Sequence, residues 1–132
     1  MTFSKTAAYS IRILTMLAKQ EGKIVSVRVL HEELKLPFKY ITKLMTALAK
    51  HGFVKAIRGR EGGFRLAKEP RDISIYSIVE AVDGIKEKEV CTLLFEECSD
   101  TEPCAIHPFI YDIKKMFRAR LKETNLSMLA AV

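Results

Sequence analysis

Nowhere does the sequence approach the roughly 20 consecutive apolar residues that a membrane helix needs, so no membrane partner is expected. The first segment, Met1 to Gln20, carries Lys5, Arg12 and Lys19 and lacks a small-residue cleavage site. It is expected to be an amphipathic helix rather than a secretory signal, and the protein to be cytoplasmic. Cysteine is scarce, with only Cys91, Cys98 and Cys104. An odd number in a cytosolic chain argues against a disulfide framework and towards metal or redox chemistry. Internal repeats and low-complexity linkers are absent, so 132 residues and 15.0 kDa suit one compact domain with at most one extended element. No nucleophile–base pair stands out; neither an enzyme nor a small-molecule substrate is expected.

What is present is an ordinary core and a lopsided charge. Hydrophobic residues make up 48% of the chain, too many for a disordered protein. The formal net charge is +6, but its distribution says more. Between Pro37 and Arg71 nine Lys or Arg stand against two Glu, a balance of +7. Between Asp83 and Cys104 seven acids stand against two Lys, a balance of −5. A uniformly solvated surface would mix the signs, so one half reads as facing a polyanion and the other as having a different task.

The periodicities divide the chain further. Ser4 can cap a first helix with Ile11, Leu14, Leu17 and Ala18 on one face, and Gly22 ends it. Ser26 can cap a short second helix through Leu34, with Val27, Leu30 and Leu34 inward. Pro37 suits the first position of a third helix to about Lys50, whose apolar set is Ile41, Leu44, Met45 and Leu48. Gly52 closes it. So tight a turn between two helices, Lys35-Leu36-Pro37, matches a helix-turn-helix. Two β-prone runs follow, Phe53 to Ile57 and Phe64 to Ala67, around a tip with three glycines, Arg58-Gly-Arg-Glu-Gly-Gly63. This is a hairpin wing. Ser74 can cap a fourth helix to Val82, with Ile73 stapled onto Ile78 and Gly84 as its end. A last helix from Pro108 to about Thr124 carries Ile110, Ile113, Phe117 and Leu121 as one stripe over about 25 Å. Only the short Leu126–Val132 segment remains to cover that stripe, so a second subunit is expected there.

With its apolar set inward, the third helix shows Lys39, Thr42, Lys43, Thr46 and Lys50 on the opposite face. Cations can pair with phosphates, and Thr hydroxyls can bond base edges or phosphate. Most charged helix faces are merely solvated. The wing shifts the balance, because Arg58 and Arg60 on a glycine-rich tip suit a narrow minor groove.

Here the sequence resembles the bacterial winged-helix regulators of the BadM/IscR type. The resemblance rests on Tyr40-Ile41 and Leu44, on Gly52-Phe53-Val54, and on the wing from Arg58 through Ala67 with Pro70. It ends on Ile73 to Gly84, and it spans nearly the whole chain. It implies a homodimer held by the long C-terminal helix, with paired wings on a palindromic double-stranded operator. It also implies base reading around Lys39, Tyr40, Thr42 and Lys43, and a wing arginine in the minor groove.

Six residues separate Cys91 from Cys98, five separate Cys98 from Cys104, and two more precede His107. Thiolate and imidazole are ligands for zinc and for iron–sulfur clusters. The resemblance carries Cys91, Cys98 and Cys104 over as cluster ligands and His107 as the fourth, with 2Fe–2S favoured over 4Fe–4S. The first gap is one residue longer than in the best-known relatives. A carboxylate ligand from the partner's N-terminal region has no counterpart, since Ala7, Ala8 and Tyr9 stand there and the first acid is Glu21. Three Cys and one His also make a closed zinc site.

The expected fold is mainly α with a small β-hairpin wing: a winged helix-turn-helix plus a long C-terminal dimerisation helix. Residues 1–84 form the DNA-binding domain, 85–107 a cysteine-rich sensor loop, and 108–132 the dimerisation helix and C-terminal segment. The expected function is a DNA-binding transcription repressor whose cluster senses iron–sulfur supply, redox state or nitric oxide. Structural zinc, a metal-free thiol switch and a protein-interaction winged-helix module are the alternatives.

Overall fold

A computed structural model describes residues 3–84 and 105–132. Local capping fixes most of the element boundaries. Helix α1 (Lys5–Lys19) begins at Ser4, whose side chain accepts the Ala7 N–H at 3.0 Å. Its buried face is Ala7, Ser10, Ile13, Leu14, Leu17 and Ala18. Ile11, expected on that face, lies on its half-buried flank. The Ser4 hydroxyl also donates to Asp83, 2.7 Å from one carboxylate oxygen and 2.9 Å from the other. A carboxylate is favoured beside a helix N-terminus. The contact ties the start of α1 to the last residue of the fourth helix.

Helix α2 (Val27–Leu34) is capped by Ser26, with Leu30 and Leu34 buried and Val27 half-buried. It stops at Lys35, held in the left-handed region at φ 55°. Helix α3 (Phe38–Lys50) buries Ile41, Leu44, Met45 and Leu48, as the spacing requires. Pro37 occupies its cap rather than its first turn. At the other end Gly52 turns left-handed, and the Phe53 N–H reaches back to the Leu48 carbonyl at 3.0 Å, a Schellman closure.

That closure delivers the chain into strand β1 (Val54–Ile57), which pairs antiparallel with β2 (Gly63–Leu66). The hairpin is not free-standing. Phe64 and Val25 exchange two backbone hydrogen bonds of 2.8 Å, so the segment before α2 acts as a third, one-residue strand. A two-stranded hairpin alone is marginal in water; this bridge seats it on the body.

A short 3-10 turn (Pro70–Asp72) leads to α4 (Ile75–Asp83), capped by Ser74 and ended by Gly84. Ile73 and Ile78 are both fully buried, consistent with the expected staple. Helix α5 (His107–Glu123) starts and ends one residue before the expected bounds. A sixth helix, α6 (Leu126–Ala130), had no counterpart in the sequence reading. Two backbone bonds, Ile75 N–H to the Thr124 carbonyl (2.8 Å) and Leu126 N–H to the Ile73 carbonyl (3.0 Å), clamp its start to α4. Leu126 is fully buried, and α6 packs on α1 rather than on α5. The architecture is the expected one: mainly helical with a single antiparallel hairpin as wing. Among the described residues no helix is long and apolar enough to cross a membrane.

Candidate nucleic-acid interface

Burying the apolar stripe of α3 leaves Lys39, Thr42, Lys43, Thr46 and Lys50 exposed together on its other side. The helix begins without a side-chain cap and has no acid in its first turn. Its free N–H groups and dipole therefore favour an anion there. Thr46 donates its hydroxyl to the Thr42 carbonyl at 2.8 Å, which leaves the Thr46 oxygen as an acceptor, while the Thr42 hydroxyl stays at the surface. Tyr40 departs from this group. It is half-buried, packed against the core and edge-on to Tyr9 at 6.0 Å, so its ring helps to set the angle of α3 on α1.

The turn before α3 is held from α2. His31 makes a hydrogen bond through Nδ1 to the Leu36 carbonyl, and its ring stacks on Phe38 at 4.1 Å. The sequence reading passed over His31; an aromatic seven residues after a His, across a Pro turn, is a weak signal without coordinates.

Arg58 and Arg60 are exposed at the tip of the wing. Gly63 is required where β2 leaves the tip, since a Cβ there would collide with the Val25 carbonyl. Lys55 and Arg65, also overlooked, stand directly opposite one another across the hairpin, both exposed. Alternation along β1 hinted at the exposure of Lys55, but only the register shows the opposition.

Among the described residues helix α5 has none that is buried. Of the expected stripe, Ile113 is 56% exposed, whereas Ile110, Phe117 and Leu121 are half-buried. Phe117 lies 5.9 Å from the Phe3 ring and Leu121 packs on the core. The most open apolar positions are Phe109 (77%), Met116 (66%) and Ile113, a stripe that shares Ile113 with the expected one and has Phe109 and Met116 in place of Ile110 and Phe117. His107 sits at the first position of α5, its ring 4.8 Å from Tyr111. Cys91, Cys98 and Cys104, and with them most of the expected sensor loop, lie outside the described residues.

A helix-turn-helix with an exposed basic second helix, followed by a basic hairpin wing, defines a winged-helix DNA-binding transcription regulator. Comparison with known proteins gives the family. Residues 3–132 match the Rrf2 family, described as iron-dependent transcriptional regulators, and the chain belongs to it. It is 33% identical over 109 residues to the HTH-type transcriptional regulator NsrR of Shouchella clausii, covering 82% of this chain and 70% of that one. The structure of CymR, the global cysteine regulator of B. subtilis, superposes with a TM-score of 0.81 at 28% identity, over 99% of this chain and 97% of the other. T. potens IscR superposes at 0.74, also with 28% identity, over 98% and 86% of the two chains. The protein is thus an Rrf2-family, DNA-binding transcriptional regulator.

Proposed function

We propose that this chain is a homodimeric repressor that binds a palindromic operator and whose affinity is set by an iron–sulfur cluster held by Cys91, Cys98, Cys104 and His107. The observation that carries the DNA half is the pairing of two basic surfaces, the α3 face (Lys39, Thr42, Lys43, Thr46, Lys50) and the Arg58/Arg60 tip. The α3 face lies in the major groove, with its lysines on phosphates and its Thr hydroxyls on base edges, and the tip enters the adjacent minor groove. Tyr40 contributes by positioning α3.

The open apolar positions of α5 support the homodimer. Phe109, Ile113 and Met116 on one helix form an apolar surface of the kind that marks a protein interface. Ile113 is the centre of the seam, with Ile110, Phe117 and Leu121 along its covered edge. The iron-dependent family supports the cluster, and so does the chemistry of the donors: soft anionic thiolates with one neutral imidazole. A cluster bound there supplies a redox- and ligand-sensitive centre. His107 presents its imidazole from the first turn of α5, next to the proposed seam. Held in this way, a cluster would couple its occupancy to the angle between subunits.

The test is an absorption spectrum and an iron and sulfide assay of protein purified without oxygen. Visible charge-transfer absorption, lost in Cys98→Ala and altered in His107→Ala, is expected. Colourless protein with stoichiometric zinc moves the site to a structural metal. Metal-free protein whose operator affinity changes with thiol oxidation moves it to a thiol switch.

A further inference from the structure

We propose that Lys55 and Arg65 form a phosphate clip on the outer face of the wing, gripping one backbone phosphate at the rim of the groove that the wing tip enters. The proposal rests on the DNA reading above. The hairpin register pairs Lys55 with Arg65 directly, while Val54, Phe64 and Leu66 turn to the body. Directly opposite residues on an antiparallel pair hold their Cβ atoms about 5 Å apart, and like charges so placed destabilise the hairpin. Among the described residues neither cation has an acidic partner, and both are exposed. A four-residue strand pair is a poor place to store repulsion that brings nothing in return.

A phosphate between the two side chains reverses the sign of the interaction. The ammonium approaches as a point charge, and the guanidinium fork can bond two phosphate oxygens at once. The spacing along the wing fits. At 3.3 Å per residue, Lys55 stands about 10 Å behind Arg58. The minor groove is about 7.5 Å deep. When the tip reaches the groove floor, the clip therefore stands at the rim, where the phosphates are.

The test uses the full chain and a duplex of random sequence, because non-specific binding isolates the phosphate contacts. Lys55→Gln and Arg65→Gln are measured singly and together by fluorescence anisotropy across a salt series. Losing one neutralised phosphate lowers the slope of log affinity against log salt by about 0.9 per wing. Wild type should then lose about 3.5-fold more affinity per wing than the double variant between about 50 and 200 mM salt. Because the two cations share one phosphate, the double variant should lose less slope than two independent contacts would give. The melting temperature of the free double variant should rise at low salt, with the gain vanishing at high salt. Lys115→Gln on α5 serves as the control and leaves the slope unchanged. An unchanged slope in the double variant, on a duplex that wild type binds, overturns the clip and leaves the regulator reading intact. A lowered melting temperature also overturns it, by showing that the cations support the hairpin itself. If wild type shows no salt-dependent binding to any duplex, the DNA reading fails and the clip fails with it.

Discussion

Gly63→Ala tests whether the wing is held in place by a single-residue bridge. Gly63 sits where β2 passes Val25, and an added Cβ would meet the Val25 carbonyl and the Ser26 Cα, backbone atoms that no rotamer change can move. To accept the methyl, the hairpin must lift away, breaking the two 2.8 Å bonds between Val25 and Phe64. At about 1 kcal/mol each, with partial loss of Phe64 packing adding up to about 1 more, the cost is about 2–3 kcal/mol. For a chain of this length that lowers the melting temperature by about 10 °C. Equilibrium denaturation gives the magnitude, and amide hydrogen exchange gives the location. The Val25 and Phe64 amides should lose protection, while the fully buried α1 and α3 interiors keep theirs. Gly62→Ala makes the comparison, because its Cβ would strike the Ile57 carbonyl within the tip and leave the bridge standing. A Gly63→Ala protein within about 0.5 kcal/mol of wild type, with Val25 still protected, refutes the bridge as the seat of the wing.

Three further outcomes follow from particular residues. Ser10 is fully buried in α1 and its hydroxyl has no hydrogen-bond partner among the described residues, so Ser10→Ala should stabilise the fold by about 1 kcal/mol; destabilisation in urea would reveal a partner. Arg60→Ala should cost roughly 1–3 kcal/mol of operator affinity, while Lys39→Ala should mainly reduce the salt slope; equal loss on operator and scrambled duplex for Arg60→Ala removes its groove role. Ile113→Asp, at a 56% exposed position on α5, should give monomer or aggregate in sedimentation; a stable, DNA-competent dimer places the seam elsewhere.

Most of the DNA-binding half was legible in the sequence because local chemistry writes its boundaries. Ser4, Ser26 and Ser74 each cap a helix through their own side chains, and Gly52 and Gly84 end helices in left-handed turns. What was missed depends on contacts between distant segments. Helix α6 is too short to show a period, and its place is fixed by backbone bonds to Ile73 and Ile75, some fifty residues away. Only Ile113 of the expected α5 stripe is open, because periodicity does not say which flank the chain itself covers; Phe3 takes Phe117, while Phe109 and Met116 stay open. Tyr40 looked like a surface residue of a basic helix until Tyr9 met it edge-on. The opposition of Lys55 and Arg65 is a property of strand register, which a glycine-rich tip does not specify.

The proposed function requires that the regulator read a specific duplex and that its cysteine site set how tightly. The most direct measurement is anaerobic anisotropy on a duplex selected by the protein from a random pool, with cluster-loaded and cluster-depleted protein, against a scrambled duplex. A preference of about a thousandfold or more for the selected duplex, a steep salt dependence, and a clear shift in affinity when the cluster is removed are the expected result. Equal affinity for selected and scrambled duplex at moderate salt, unchanged by cluster removal, would contradict it.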